Sequence, residues 1–216
     1  MSAASSQSGF VWSDARCPES HSYLAGPVIA AAREHFRGRA APHRVFDLGC
    51  GNGTLASLMT QAGLSVQGVD PSGTGIEAAN RAFPDLDLKP GSAYDDLASA
   101  YGPFQVVTSL EVVEHVYDPH HYAATLFSLL EPGGIAILST PYHSYLKNLA
   151  LAVSGKLDDH FNALETHGHI KFWSVKTLSV LLTKAGFEDL SWSRAGRIPP
   201  LAKSMLVVAR KGERTR

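Results

Sequence analysis

The chain has little of three things, and each shortage removes a class of explanation. Cysteine occurs only twice in 216 residues, at Cys17 and Cys50. That is too few for a disulfide framework or a structural zinc site, so a reducing compartment is the default. Charge of either sign is nearly cancelled: 19 Lys and Arg stand against 20 Asp and Glu, a formal −1. A chain this close to neutral carries no electrostatic footprint for nucleic acid. Its one basic cluster, Lys203, Arg210, Lys211, Arg214 and Arg216, reads as a solvated tail. Long apolar runs are missing, and "MSAASSQSGF" lacks the basic and apolar regions of a secretory leader. The expectation is a cytoplasmic protein with no membrane insertion and no nucleic-acid partner. Repeats and low complexity are absent beyond the Ser/Ala-rich first nine residues, expected to be disordered.

What is present is a globular composition, 44% hydrophobic, enough for one domain with a full core. Apolar runs at 44–48, 65–69, 86–88, 104–109 and 134–140 alternate with helical patterns. Residues 20–36 suggest a helix interrupted or begun near Gly26 and Pro27. In "DPHHYAATLFSLLEPGG", Asp118 can cap and Pro119 fits the first helical position. Tyr122, Leu126, Leu129 and Leu130 then line one face until Pro-Gly-Gly ends it. A helix over 174–185 stops at Gly186, and strands at 187–194 and 203–210 can pair antiparallel. Strand–helix alternation implies a parallel sheet with helices on both faces, whose ligands sit beyond the carboxyl ends of the strands.

One stretch stands at such an end. In "HRVFDLGCGNGTL", Val45, Phe46 and Leu48 form a short strand, and Gly49, Gly51 and Gly53 follow within five positions. A phosphate loop would need G-x-x-x-x-G-K-[ST], and no Lys follows here. A dinucleotide site wants G-x-G-x-x-G, and the spacing is one residue short. The second strand ends "VQGVDPS", placing Asp70 where an acid can accept hydrogen bonds from both ribose hydroxyls. Asp70 could also cap the next helix; beside the glycine loop, the ribose role is favoured. A ribose without a pyrophosphate over the loop fits S-adenosylmethionine.

Taken in order, "VFDLGCGNG", "VQGVD", "FQVVTSLEVVEHV" and "LLEPGGIAILSTP" resemble the motifs of class I S-adenosylmethionine-dependent methyltransferases. Within that class, "SLEVVEHVYDP" and "ILSTPYH" are most similar to the ubiquinone-pathway O-methyltransferases and their relatives. The resemblance implies a doubly wound, Rossmann-like, seven-stranded, mostly parallel α/β sheet with an antiparallel C-terminal strand pair. The organisation expected is an N-terminal arm over 1–26, then one domain over 27–216 with a cap-like insertion near 141–173. The resemblance also implies roles. Asp47 would bind the methionine amine, usually through water, while Gly49, Gly51 and Gly53 run beside the methionine. Asp70 and Pro71 would hold the ribose end, Ala93 and Tyr94 the adenine, and Leu110 would pack on the cofactor. Many relatives carry an acid where Ser92 stands.

Two aromatic-bearing segments, 9–26 and 141–173, are expected over the open end of the sheet. Tyr23 is assigned to the cofactor pocket, whereas Trp12 is divided evenly between pocket and core. Cys50 is read as packing, because methyl transfer is an in-line displacement that needs no covalent nucleophile. Removing a proton from an acceptor hydroxyl calls for a base, and His is the usual one near neutral pH. Among the ten histidines, His35, His43, His120 and His121 read as surface residues. His115, His143, His167 and His169 fall near the ligand, with His115 and His169 the catalytic candidates. Glu111, Glu114 and His115 form E-x-x-E-H, which holds a divalent ion in some relatives; the expectation here is no metal. The resulting function is methyl transfer to a small-molecule acceptor, with O-methylation ahead of N- or C-methylation. A small-RNA 2′-O-methyltransferase and a non-catalytic S-adenosylmethionine-binding module are the alternatives.

Overall fold

The computed structural model describes residues 10–157, 161, 164, 166, 168–198 and 201–213. The first nine residues, His167, Arg214 and Arg216 lie outside them. Strands β1 (Arg44–Leu48), β2 (Ser65–Asp70), β3 (Asp87–Pro90), β4 (Phe104–Leu110), β5 (Leu130–Pro141), β6 (Phe187–Ala195) and β7 (Ser204–Lys211) form one sheet. Its seven strands run in the order β3-β2-β1-β4-β5-β7-β6. β1 to β5 pair in parallel, and β7 lies antiparallel between β5 and β6. The order reverses between β1 and β4, which opens a crevice at their carboxyl ends. This is the expected sheet.

Helices α1 (Glu19–Phe36), α2 (Thr54–Gln61) and α3 (Gly73–Ala82) cover one face. On the other lie α4 (Leu97–Tyr101), α5 (Pro119–Ser128) and α7 (Val175–Ala185), while α6 (Tyr145–Val153) stands apart with no buried residue. Alternate strand residues feed the two cores. Val45, Val106, Ile135 and Ile137 pack under α1 and α2, and Phe46, Val107, Ala136 and Leu138 pack under α5 and α7. Because both faces are buried, these strands read as continuous apolar runs.

Helix ends follow local chemistry. Ser72 caps α3 by accepting the Gly75 amide at 3.0 Å. Asp118 accepts the amides of His120 and His121 at 3.0 and 3.1 Å, and Ser174 with Thr177 forms a capping box on α7. No helix among the described residues is long and apolar enough to cross a membrane.

Three expectations are revised. α5 stops at Ser128, because Leu130 pairs with Phe104 and begins β5. Lys211 Nζ donates to the carbonyls of Phe127 and Leu130 at 2.8 and 2.6 Å, claiming groups that a longer helix would have used. α1 runs unbroken through Pro27, so a division at 26/27 falls inside a helix. The missing Pro27 amide costs one bond, and burial of Leu24, Val28, Ala32 and Phe36 along one side holds the helix together. His35 is not a plain surface group: its Nε2 is buried without a partner, and burial lowers its pKa to about 4.

Candidate active site

A cavity of about 540 Å³ opens at the carboxyl ends of β1, β2 and β4, within the usual range for small-ligand pockets. Of the residues expected at the cofactor or catalytic site, Gly49, Gly51, Asp70, Pro71, Ala93, Tyr94, Leu110 and His115 line it. Asp47, Tyr23 and His169 do not appear on its wall.

The first strand drives into the core, so its last turn is delivered to the cavity floor. Asp47 lies beneath the loop, 1% exposed, with Oδ1 accepting from Thr108 Oγ1 at 2.7 Å and Oδ2 unpartnered. Burial pushes its pKa up to about 7, against the Thr108 bond that favours the charged form. Gly51 follows at φ +52, a conformation L side chains rarely adopt, and a Cβ there would sit 2.8 Å from Trp12 Cζ2.

Asp70 staples this loop to β2. Its Oδ2 accepts the Gly51 amide at 2.8 Å and its Oδ1 the Ser72 amide at 2.7 Å. Burial raises its pKa while both amide bonds oppose the rise. Ser72 itself caps α3, so helix capping does not account for Asp70. Each of its oxygens keeps a second acceptor site.

An N-terminal strap forms a further wall. Phe10 and Trp12 line the cavity, edge to face with centroids 5.1 Å apart. Ser72 Oγ donates to the Phe10 carbonyl at 2.6 Å, and the Trp12 amide donates to Thr74 Oγ1 at 3.0 Å. Asn52 Nδ2 donates to the carbonyls of Asp14 and Arg16 at 3.1 and 2.9 Å. The Trp12 ring fits a notch left by Gly51 and Gly75, where a Cβ on either would approach it to 2.8 Å.

Tyr23 stands off this cavity wall. Its hydroxyl pairs with Ser204 Oγ at 3.0 Å and its ring packs against the core under α1. Ser20 and His21, earlier in the same helix, take the wall position instead. Farther along the cavity wall, the Ala93 carbonyl accepts from Thr125 Oγ1 at 2.8 Å. The Tyr94 hydroxyl accepts the Asp118 amide at 3.0 Å, so α5 fixes both. Cys50 is buried, and burial pushes its thiol up, as packing requires.

The β4 end of the cavity is built by E-x-x-E-H and a segment that folds back onto it. Glu111 sits at φ +54, which turns it toward Ser139 Oγ, a donor to its Oε1 at 2.7 Å. It therefore does not join the other two on one helical face. The amides of Ile170 and Lys171 both donate to the Glu114 carbonyl at 3.0 Å, and Trp173 Nε1 donates to the Val113 carbonyl at 3.0 Å. The Gly168 carbonyl meets His115 Nδ1 at 3.2 Å. A carbonyl only accepts, so His115 Nδ1 is the donor in this bond. The His169 ring lies edge-on to His115, centroids 4.9 Å apart, with its Nε2 4.0 Å from Glu114 Oε1.

Glu114 is 1% exposed and neither carboxylate oxygen has a hydrogen-bond partner. Burial, with the Glu111 charge second, holds its pKa well above the ordinary range. One ligand atom each from Glu114, His115 and His169 lies within 4.8 Å of the others. Two donors on opposite sides of one divalent ion stand at most about 4.4 Å apart, so small side-chain rotations would close the set. These residues fit a cation, and a buried orphan carboxylate is the group that would gain most from one.

Residues 21–191 match the family model described as a methyltransferase domain. A ubiquinone biosynthesis O-methyltransferase of Caulobacter vibrioides is 40% identical over 129 residues, 58% of this chain and 49% of that protein. One from Thiobacillus denitrificans is 32% identical over 156 residues, 70% of this chain and 67% of that protein. The chain thus spans about half the length of the first of these relatives. Among solved structures, magnesium protoporphyrin IX methyltransferase from Synechocystis with bound S-adenosylhomocysteine superposes with TM-score 0.62 at 22% identity, covering 88% of this chain and 82% of that one. YcgJ from Bacillus subtilis superposes with TM-score 0.64 at 16% identity, over 88% and 98%. With the glycine loop, its acidic staple and the sheet order in place, the chain belongs to the S-adenosylmethionine-dependent methyltransferase family.

Proposed function

We propose that this protein transfers a methyl group from S-adenosylmethionine to an oxygen of a small-molecule acceptor. The observation that carries this is the placement of His115 in the same cavity as the Asp70–Gly51 staple. With the ribose on Asp70 and the adenine toward Ala93 and Tyr94, the sulfonium methyl points toward the β4 end. An acceptor hydroxyl held there lies in line for displacement, and positioning supplies most of the rate. His115, its Nδ1 tied to Gly168, presents the Nε2 lone pair that takes the hydroxyl proton. His169 buttresses the ring from its edge and is the second candidate for this work. The relatives named as ubiquinone biosynthesis O-methyltransferases support transfer to oxygen.

The buried Glu114 carboxylate, with His169 Nε2 4.0 Å away, favours a second reading of the same groups. Glu114, His115 and His169 would hold a divalent cation, which would supply Lewis-acid orientation of the acceptor oxygens. The two readings separate by His115→Gln turnover measured with phenol and catechol acceptors. A base role predicts loss with both, and a fall that is steepest at low pH. A ligand role predicts loss that added metal partly restores.

A further inference from the structure

At the β4 end the cavity has apolar walls, built by Leu110, Val112, Val116 and Ile170, and two polar side chains stand among them, His115 and Glu111. His115 takes the acceptor hydroxyl in the proposed transfer. Glu111 has no part in that step, and the ligand set of Glu114, His115 and His169 leaves it out.

Glu111 is held as an anion. Its amide donates to the carbonyl and to Oγ of Ser139, each at 3.1 Å, and Ser139 Oγ donates back to Oε1 at 2.7 Å. Ser204 supplies a second hydroxyl bond, with the Tyr23 hydroxyl 3.0 Å behind it. Burial raises the Glu111 pKa, and both serine bonds oppose the rise, because a hydroxyl donating to a carboxylate favours its charged form. What this frame lacks is a cation. Among the described residues lining the cavity there is neither Lys nor Arg. The basic groups of neighbouring segments are engaged elsewhere. Lys203 pairs with Glu19, Lys147 donates to the Tyr142 carbonyl at 3.3 Å, and Lys171 and Arg194 lie over the rings of Tyr117 and Tyr142.

A partly buried carboxylate in an apolar recess acts on charge more strongly than it would in water, attracting a cation and repelling an anion. The cofactor does not cancel this. It brings a net single positive charge, and the wall carries two acids, Asp70 and Glu111.

We infer that Glu111 selects the acceptor by charge: the compartment beside His115 takes phenols that bear an ammonium group and turns away those that bear a carboxylate. The inference rests on the proposed transfer to an acceptor hydroxyl at His115, with the ammonium held by Glu111 in the same cavity.

The test uses three phenols of one shape. Tyramine, 4-propylphenol and 3-(4-hydroxyphenyl)propanoate end the same short arm in an ammonium, a methyl and a carboxylate, and none of them chelates metal as a catechol does. Calorimetric titration of the full chain saturated with S-adenosylhomocysteine should rank them in that order, tyramine about tenfold or more tighter than 4-propylphenol. Glu111→Gln should compress the ranking, with tyramine losing affinity and the propanoate gaining it, whereas Glu111→Asp keeps the charge and the order. If Glu111→Gln does not fold, Glu111→Gly, which adopts φ +54 without strain, makes the same comparison. An unaltered ranking without the carboxylate overturns the inference. So does equal weakening of all three ligands, as does a propanoate that binds the unsubstituted protein as well as tyramine, or failure of all three to bind it. Turnover with S-adenosylmethionine separates this inference from the reading beneath it. A charge ranking that depends on Glu111, with no methylated product, upholds selection by Glu111 and overturns transfer to oxygen.

Discussion

Trp12 packs its ring onto the backbone of Gly51, in a space that a single added methyl would enter at 2.8 Å. The contact joins the strap to the loop beside the cofactor, so what disturbs one disturbs the other. Gly51→Ala should weaken S-adenosylhomocysteine binding at least tenfold, because φ +52 becomes strained by about 1–2 kcal/mol and Trp12 must move. Trp12 emission should shift to the red in the same variant. Unaltered affinity with an unaltered spectrum would separate the strap from the site.

Asp70→Asn keeps the shape but weakens two charge-assisted amide bonds and, with them, the proposed ribose contact. Cofactor affinity and thermal stability should fall together, each by about 1–3 kcal/mol. A loss of affinity with no change in melting temperature would show that Asp70 acts on ribose alone and that the staple is dispensable.

Asp47 gives the protein a pH signature. Its pKa is raised from 3.8 to about 7 by burial, so the folded state holds this proton more tightly than the unfolded chain. Its contribution to stability is fully present below the unfolded value and is lost as pH rises through about 7. Unfolding curves should show a steeper decline in the ligand-free protein than in Asp47→Asn, where the raised Asp70 and Glu114 still contribute. A bound ammonium favours the ionised carboxylate, so S-adenosylhomocysteine affinity should rise across the same window with release of a proton. Calorimetry in two buffers of different ionisation enthalpy measures that release, and a binding heat independent of buffer would contradict it.

The cluster of Glu114, His115 and His169 predicts an effect of chelation. On the metal reading, activity with a catechol acceptor should fall after exhaustive chelation and return on readdition of Mg²⁺, Mn²⁺ or Zn²⁺. Glu114→Gln should abolish the response to metal. Full activity in the metal-free protein would leave His115 with the base role only.

The glycine-loop end of the cavity was legible in the sequence because its chemistry is local. Gly49, Gly51 and Asp70 sit at strand ends that apolar runs mark out, and Asp118 and Ser174 announce their helices by capping. The setting of Tyr23 was not legible, because an aromatic near a pocket looks the same in sequence whichever way it faces, and its Ser204 partner lies 181 residues away. Ser20 and His21 carried no motif, and their position depends on Asn52 gripping a strap 36 and 38 residues earlier. The meeting of His169 with Glu114 is also long-range, set by two amides folding back onto one carbonyl. Leu129 and Leu130 continued a helical stripe in sequence, but sheet pairing with β4 took Leu130.

The most direct test of the account is methyl transfer itself. The protein is incubated with S-adenosylmethionine bearing a deuterated methyl and a panel of phenols, catechols and amines, and products are read by mass spectrometry. The account predicts one labelled methyl on a phenolic or catecholic oxygen, with stoichiometric S-adenosylhomocysteine and loss of product in His115→Gln. Tight S-adenosylhomocysteine binding with no labelled product from any acceptor, or label found only on nitrogen or carbon, would contradict it.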